Sequence, residues 1–178
     1  MSNTQFPPES FRPLLAKIAT HLKERKESIS VAETSTGGLI SAALLSVPGA
    51  SAYYKGGLTV YTLESRKAFA GWTDETVKDY RGPTPAIVSG LAESAREKLE
   101  STYTISESGV AGPTGGRSGF RNQKPGYTAL AIASASGTKT KEIDTNVADR
   151  ERNMILFTEE ALKFLAETLE LDSDRSNL

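Results

Sequence analysis

The sequence contains no cysteine. That removes disulfides, thiolate nucleophiles and cysteine metal sites from the chemistry open to it, and it agrees with a reducing, cytoplasmic location. Histidine is almost as scarce: the single one, His21, falls inside an apolar helical pattern. A Ser-His-Asp triad therefore lacks its base and a histidine metal site lacks its partners, so no metal is expected. Charge of one sign is missing too. With 21 basic and 22 acidic residues the formal net charge is -1, which gives nucleic acid or an acidic membrane surface no field to follow. No run approaches the roughly 20 apolar residues of a membrane span. The opening MSNTQFPPES lacks the apolar core of a signal peptide.

What is present is 178 residues, 38% hydrophobic and 24% charged, the composition of an ordinary soluble globule with room for one core. Residues 1–178 read as a single domain, with 1–8 and 172–178 as flexible ends. Apolar residues at Phe11, Leu14, Leu15, Ile18, Ala19 and Leu22 keep helical spacing and predict a helix from Phe11 to Lys23. SISVA alternates as a strand. Leu39–Val47 reads as a helix stopped by V-P-G. GGLTVYT, from Gly56 to Thr62, is a second strand, followed by short helical turns at Glu64–Ala70 and near Asp74–Tyr80. A further helix starts at Pro85 behind the cap Thr84, with Ile87, Leu91, Ala95 and Leu99 as its buried stripe. Thr102–Ser106 is a strand, YTALAIAS and TKTKEIDTNV form a hairpin about Ser136–Gly137, and a long helix runs from Arg150 to Leu171 behind Asp149. Strands alternating with helices predict a layered α/β fold with a mostly parallel sheet.

Two glycine-rich joints follow predicted strands. The first, V-A-E-T-S-T-G-G-L-I, brings Glu33, Thr34, Ser35, Thr36, Gly37 and Gly38 to the start of a helix. It reads either as a capped turn or as a phosphate cradle, because a helix start offers free N–H groups and glycines let a ligand approach. The spacing of a P-loop is absent. The second, S-G-V-A-G-P-T-G-G, spans Ser108 to Gly116. Ligands gather at the carboxyl ends of strands in such folds, so the two joints are expected to be neighbours. With histidine and cysteine excluded, a hydroxyl nucleophile assisted by Lys or Tyr remains. Ser51, Tyr53, Tyr54, Lys55, Tyr61, Arg66 and Lys67 supply the candidates.

At these residues the chain resembles the CinA C-terminal domain family, the nicotinamide mononucleotide (NMN) deamidases. A-E-T-S-T-G-G followed by P-G-A-S-A and G-G-L-T-V-Y-T is similar to the family's A-E-S-C-T-G-G, P-G-S-S-A and G-G-x-x-x-Y-S. S-G-V-A-G-P-T-G-G resembles its T-G-I-A-G-P-x-G-G, Q-K-P-G-Y-T its E-K-P-V-G-T, and A-D-R its G-D-R. The match runs in order from about Ile18 to Leu165. The resemblance implies a three-layer αβα sandwich with a mixed, mostly parallel sheet that associates as a homodimer or larger homo-oligomer. It implies hydrolysis of the carboxamide of a pyridine mononucleotide, NMN, to nicotinic acid mononucleotide and ammonia, with no cofactor. By position, Ser51 falls on the candidate nucleophile and Tyr61 on a proton relay. Ser108 falls near the carbonyl or ribose, and Arg150 on a phosphate or pyridinium contact. Glu33, Thr36, Gly37 and Gly38 match one wall of the substrate site and Gly112, Pro113 and Gly115 the other.

The departures cluster at the same place. Thr34 stands where the family has serine, and Ser35 where it has cysteine. Arg66 takes the place of a lysine; lysine can act as a base when buried, whereas arginine effectively cannot. Lys67 is adjacent, but on a helix it points about 100° away. The polar loop from Arg117 to Gln123 is longer than the family's. Two readings follow: an active amidase in which Arg66 works through its charge, with Ser51 or Thr34 holding the attacking oxygen, or a binder of nucleotide or protein that hydrolyses poorly.

Overall fold

Capping and termination follow directly from the sequence. The computed structural model describes residues 6–116 and 119–171. Helix α1 spans Arg12–Arg25 and ends on Lys26, whose left-handed backbone closes two carbonyls. Strand β1 (Ile29–Glu33) leads into α2 (Leu39–Leu45). Strand β2 (Tyr54–Thr59) is followed by α3 (Leu63–Phe69) and α4 (Asp74–Asp79), each capped by a threonine, Thr62 and Thr73. Helix α5 (Pro85–Leu99) begins as the sequence predicts, with the Thr84 hydroxyl accepting from Ile87 N at 3.3 Å. Strand β3 (Tyr103–Gly109), the hairpin β4 (Tyr127–Ser134) and β5 (Gly137–Asp144), and α6 (Arg150–Thr168) complete the order. Asp149 caps α6 by accepting from Arg152 N at 2.7 Å.

The five strands form one sheet in the order β2-β1-β3-β4-β5. The β2-β1-β3 end is parallel, and the β3-β4-β5 end is antiparallel. Helix α5 covers one face, burying Val88, Ala92 and Leu91 against β1, β3 and β4. Helices α1, α2 and α6 cover the other, around Ile18, Leu22, Val31, Ile105, Leu130 and Leu162. The αβα layering thus holds. Among the described residues no helix is long and apolar enough to cross a membrane.

Among the departures from expectation, three concern the sheet and its covering helix. Strand β2 stops at Thr59, because Thr62 turns away to cap α3. The buried stripe of α5 is rotated to Val88, Leu91, Ala92 and Ala95, leaving Ile87 and Leu99 half-buried, because the helix lies across several strands. Strand β3 runs three residues past Ser106, and Glu107 pairs with Leu130 inside the sheet. Residues 1–5 and 172–178 of the expected flexible ends, and Arg117 and Ser118 of the expected loop, lie outside the described residues.

Candidate functional site

Strand alternation decides which side chains meet. In β1, Val31 and Glu33 face α2 and α6, and Ala32 faces α5. Glu33 is fully buried. Its carboxylate accepts from Ile40 N and Ser41 N, both at 3.1 Å, from Ser41 Oγ at 2.6 Å and from Thr36 Oγ1 at 2.7 Å. The anion that the start of α2 attracts is therefore the chain's own side chain. Of the two readings of the first joint, these bonds favour the capped turn: Glu33 and Thr36 close on each other and on the start of α2. Gly37 and Gly38 both have left-handed backbone, at φ 68° and 104°, which lets the chain turn from Thr36 into α2.

Glu107, which the sequence did not single out, closes the joint from β3. Its Oε2 accepts from Thr34 N and Thr36 N, each at 3.1 Å, and its Oε1 is met by Ser35 Oγ. Burial pushes its carboxyl above the ordinary range, and the bonds from Ser35, Thr36 and Thr34 oppose that shift. A glutamate at the end of an apolar strand looks like the first residue of a loop; only its alternation with Ile105 places it inward.

Thr34 and Ser108 point to the other side of the sheet crest. The Thr34 hydroxyl donates to Ser108 Oγ at 3.3 Å. Ser108 lies two residues beyond Ser106, whose hydroxyl bonds Val88 O of α5, so both face α5. Thr34 and Ser108 are 2% and 1% exposed. The structure thus brings together two hydroxyls from separate joints at the carboxyl ends of adjacent parallel strands, as the fold class predicts.

The second joint is tied to α6. Arg150 donates to Gly112 O at 3.1 Å and to the Tyr61 hydroxyl at 3.1 Å, with its guanidinium 5.6 Å over the Tyr61 ring. Asn153 reaches Ala111 O at 2.8 Å. Gly112 has φ 99°, and a Cβ there would lie 2.3 Å from Ala148 O, so no other residue fits that approach. Its bond to Pro113 is cis. Gly115 packs against the backbone of Gln123, to which Gly116 N donates. Pro113 and Gly115 are exposed, as are Tyr61 and Arg150. Three predicted site segments, distant in sequence, therefore form one rim.

Two expected site residues make no hydrogen bond to the hydroxyl pair among the described residues. Arg66 is buried at 4% exposure, with Nε on Val60 O at 3.2 Å and its guanidinium beside the Trp72 and Tyr80 rings, 5.0 and 5.1 Å from their centroids, which lie 5.4 Å from each other. Its Nη1 has no hydrogen-bond partner among the described residues. Ser51 is exposed on the turn Ala50–Ala52 that precedes β2. The six residues of β2 separate it from the carboxyl end of the sheet, roughly 20 Å at strand rise. Within one chain, Ser51 therefore lies at the opposite end of β2 from Thr34 and Ser108.

Known proteins resemble this chain in sequence and fold. The CinA C-terminal domain profile matches residues 12–169. A CinA-like protein of Shewanella denitrificans is 36% identical over 139 residues, 78% of this chain and 32% of that protein. One from Shewanella woodyi is 40% identical over 130 residues, 72% of this chain and 30% of its own length. The chain thus spans about a third of the length of the curated relatives it matches. Among solved structures, the competence/damage inducible protein CihA of Agrobacterium tumefaciens superposes with a TM-score of 0.85 at 24% identity, covering 94% of this chain and 99% of that one. The competence damage-inducible protein A of Klebsiella pneumoniae gives 0.82 at 26% identity over 89% and 96%. With the profile match over nearly its whole length, the chain belongs to the CinA C-terminal domain family.

Proposed function

We propose that the protein is an amidohydrolase acting on the carboxamide of a pyridine mononucleotide, NMN, in which Thr34 holds the attacking oxygen. The observation that carries this reading is the buried Thr34–Ser108 hydroxyl pair at the carboxyl end of the sheet. In the proposed reaction the Thr34 oxygen bonds to the carboxamide carbon. Its proton passes to Ser108 Oγ while the Ser108 proton goes to the nitrogen, so the C–N bond breaks to release ammonia. Water then cleaves the Thr34 ester by the reverse shuttle and frees nicotinic acid mononucleotide. Arg150 and Tyr61 form the accessible rim where phosphate would bind. Because the two hydroxyls are buried, substrate reaches them when a joint moves aside, and the exposed second joint is the segment suited to move.

The test is ammonia release from NMN by the purified protein against a Thr34→Ala control. No ammonia above that control would sink the reading. A second reading, binding without efficient hydrolysis, is favoured by the buried Arg66, since a guanidinium packed beside the Trp72 and Tyr80 rings supplies no base. Thermal-shift titration with NMN separates the two, because a ligand that prefers the folded state raises its melting temperature whether or not it reacts. An Arg66→Lys variant that releases ammonia faster than the parent would favour the second.

A further inference from the structure

The mechanism leaves Glu107 unused, yet no other side chain in the first joint gathers as many partners. It is fully buried on β3, facing away from α5. Its two carboxyl oxygens see different surroundings. Oε2 collects the backbone N–H groups of Thr34 and Thr36, both obligatory donors. Oε1 meets only hydroxyls: Ser35 in a very short contact and Thr128 of β4 at 3.4 Å. A hydroxyl accepts as readily as it donates. One oxygen is thus placed to be a carbonyl and the other to be an O–H.

A count of protons points the same way. Thr36 Oγ1 lies 2.7 Å from Glu33 Oε2 and 3.1 Å from Glu107 Oε2, but it has one proton to give. Glu33 holds the shorter contact and three further donors at the start of α2, which suits a charged carboxylate. A second charge on Glu107 would compete for the Thr36 proton and repel Glu33 in a dry interior. No other charged side chain among the described residues acts on Glu107.

We infer that Glu107 is held as a neutral carboxylic acid, its C=O anchoring the amides of Thr34 and Thr36 and its O–H directed to Ser35, and that it acts as a positioning residue that sets the Thr34 hydroxyl against Ser108. The positioning half rests on the amidase reading above; the neutral acid does not. Both amides belong to the joint that carries Thr34, so freeing them would release Thr34 from the sheet crest.

Glutamine reproduces a neutral glutamate. Its amide oxygen can keep the two backbone N–H groups while its NH2 turns to Ser35 and Thr128. The sign of the pH effect is fixed by burial, which raises the folded carboxyl above its ordinary value of 4.5. Above that value the unfolded chain gives up the proton while the folded chain must keep it, so Glu107 costs stability as pH rises.

The test compares melting temperatures of the full chain and Glu107→Gln from pH 5 to 9, and their kcat and KM for ammonia release from NMN. The expected result is that the variant gains on the parent as pH rises, and that its kcat stays within about threefold. Glu107→Ala should lose kcat by about tenfold or more with KM little changed, and Gln should restore it. A Glu107→Gln variant less stable than the parent by a growing margin at higher pH would overturn the neutral acid. A tenfold loss of kcat in Glu107→Gln would overturn positioning and assign the proton itself to the reaction. If Glu107→Ala does not fold, Glu107→Gln alone decides. If the parent releases no ammonia, the amidase reading fails, and the melting series still decides the protonation.

Discussion

The two glycine-rich joints look alike in sequence and behave oppositely. The first, between β1 and α2, is buried from Glu33 to Thr36, and its polar atoms are closed on Glu33 and Glu107. The second, after β3, is exposed from Pro113 to Gly116, with Arg150 and Asn153 holding it near Gly112 and a backbone bond from Gly116 to Gln123 at its far end. A reacting hydroxyl needs a rigid support, since small misplacements cost large factors in rate, and the first joint provides one. Substrate entry needs a segment that can move, and exposed backbone with few side-chain ties is the cheaper one to displace. The division also explains why the donors at the start of α2 go to Glu33: that end of the helix is part of the support, not of the opening.

The sharpest way to break this comparison is at Thr34. Thr34→Ala should lower kcat for NMN by about 10³-fold or more, with melting temperature nearly unchanged, whereas Thr34→Ser should keep most of the rate. If Thr34→Ala keeps the rate, the first joint is only scaffold. Next is Glu33→Gln, which places an amide N–H against Ile40 N or Ser41 N. It should cost about 2–4 kcal/mol, seen as a fall in melting temperature of roughly 5–15 °C. At the second joint, Arg150→Ala should raise KM by about tenfold through loss of a charged contact, with stability changed by less than about 1 kcal/mol. A large stability loss there would make the rim a support like the first joint. Smallest is Ser51→Ala, expected to leave kcat/KM within about twofold because the residue sits at the opposite end of the sheet.

Much of the layering was legible before any coordinates. The Thr84-Pro85 start of α5, the Asp149 cap and the β4–β5 hairpin all rest on interactions between near neighbours, and each formed as read. Membership of the family was also legible, since the motifs are contiguous strings. The site was less so. Thr34, Ser108, Tyr61, Gly112 and Arg150 were named and do gather at one end of the sheet. Ser51 was ranked first among hydroxyls because it follows a matching Pro-Gly, yet a string carries no information about which end of a strand a turn occupies. Glu107 was passed over because polarity at a strand end reads as the onset of a loop.

The sequence by itself determined the elements, their order and the chemistry excluded: no thiolate, no histidine triad, no field for nucleic acid. Those follow from composition and from interactions within a few residues. Only the tertiary structure decided what the polar residues are for. Whether Glu33 binds a ligand or caps α2, whether Arg66 is a free charge or packs beside two rings, and whether Glu107 lies in a loop or ties two strands together all depend on which partners the fold delivers. The physical reason is that a buried polar group must find partners wherever the fold brings them, and sequence spacing does not reveal which of them the sheet will deliver.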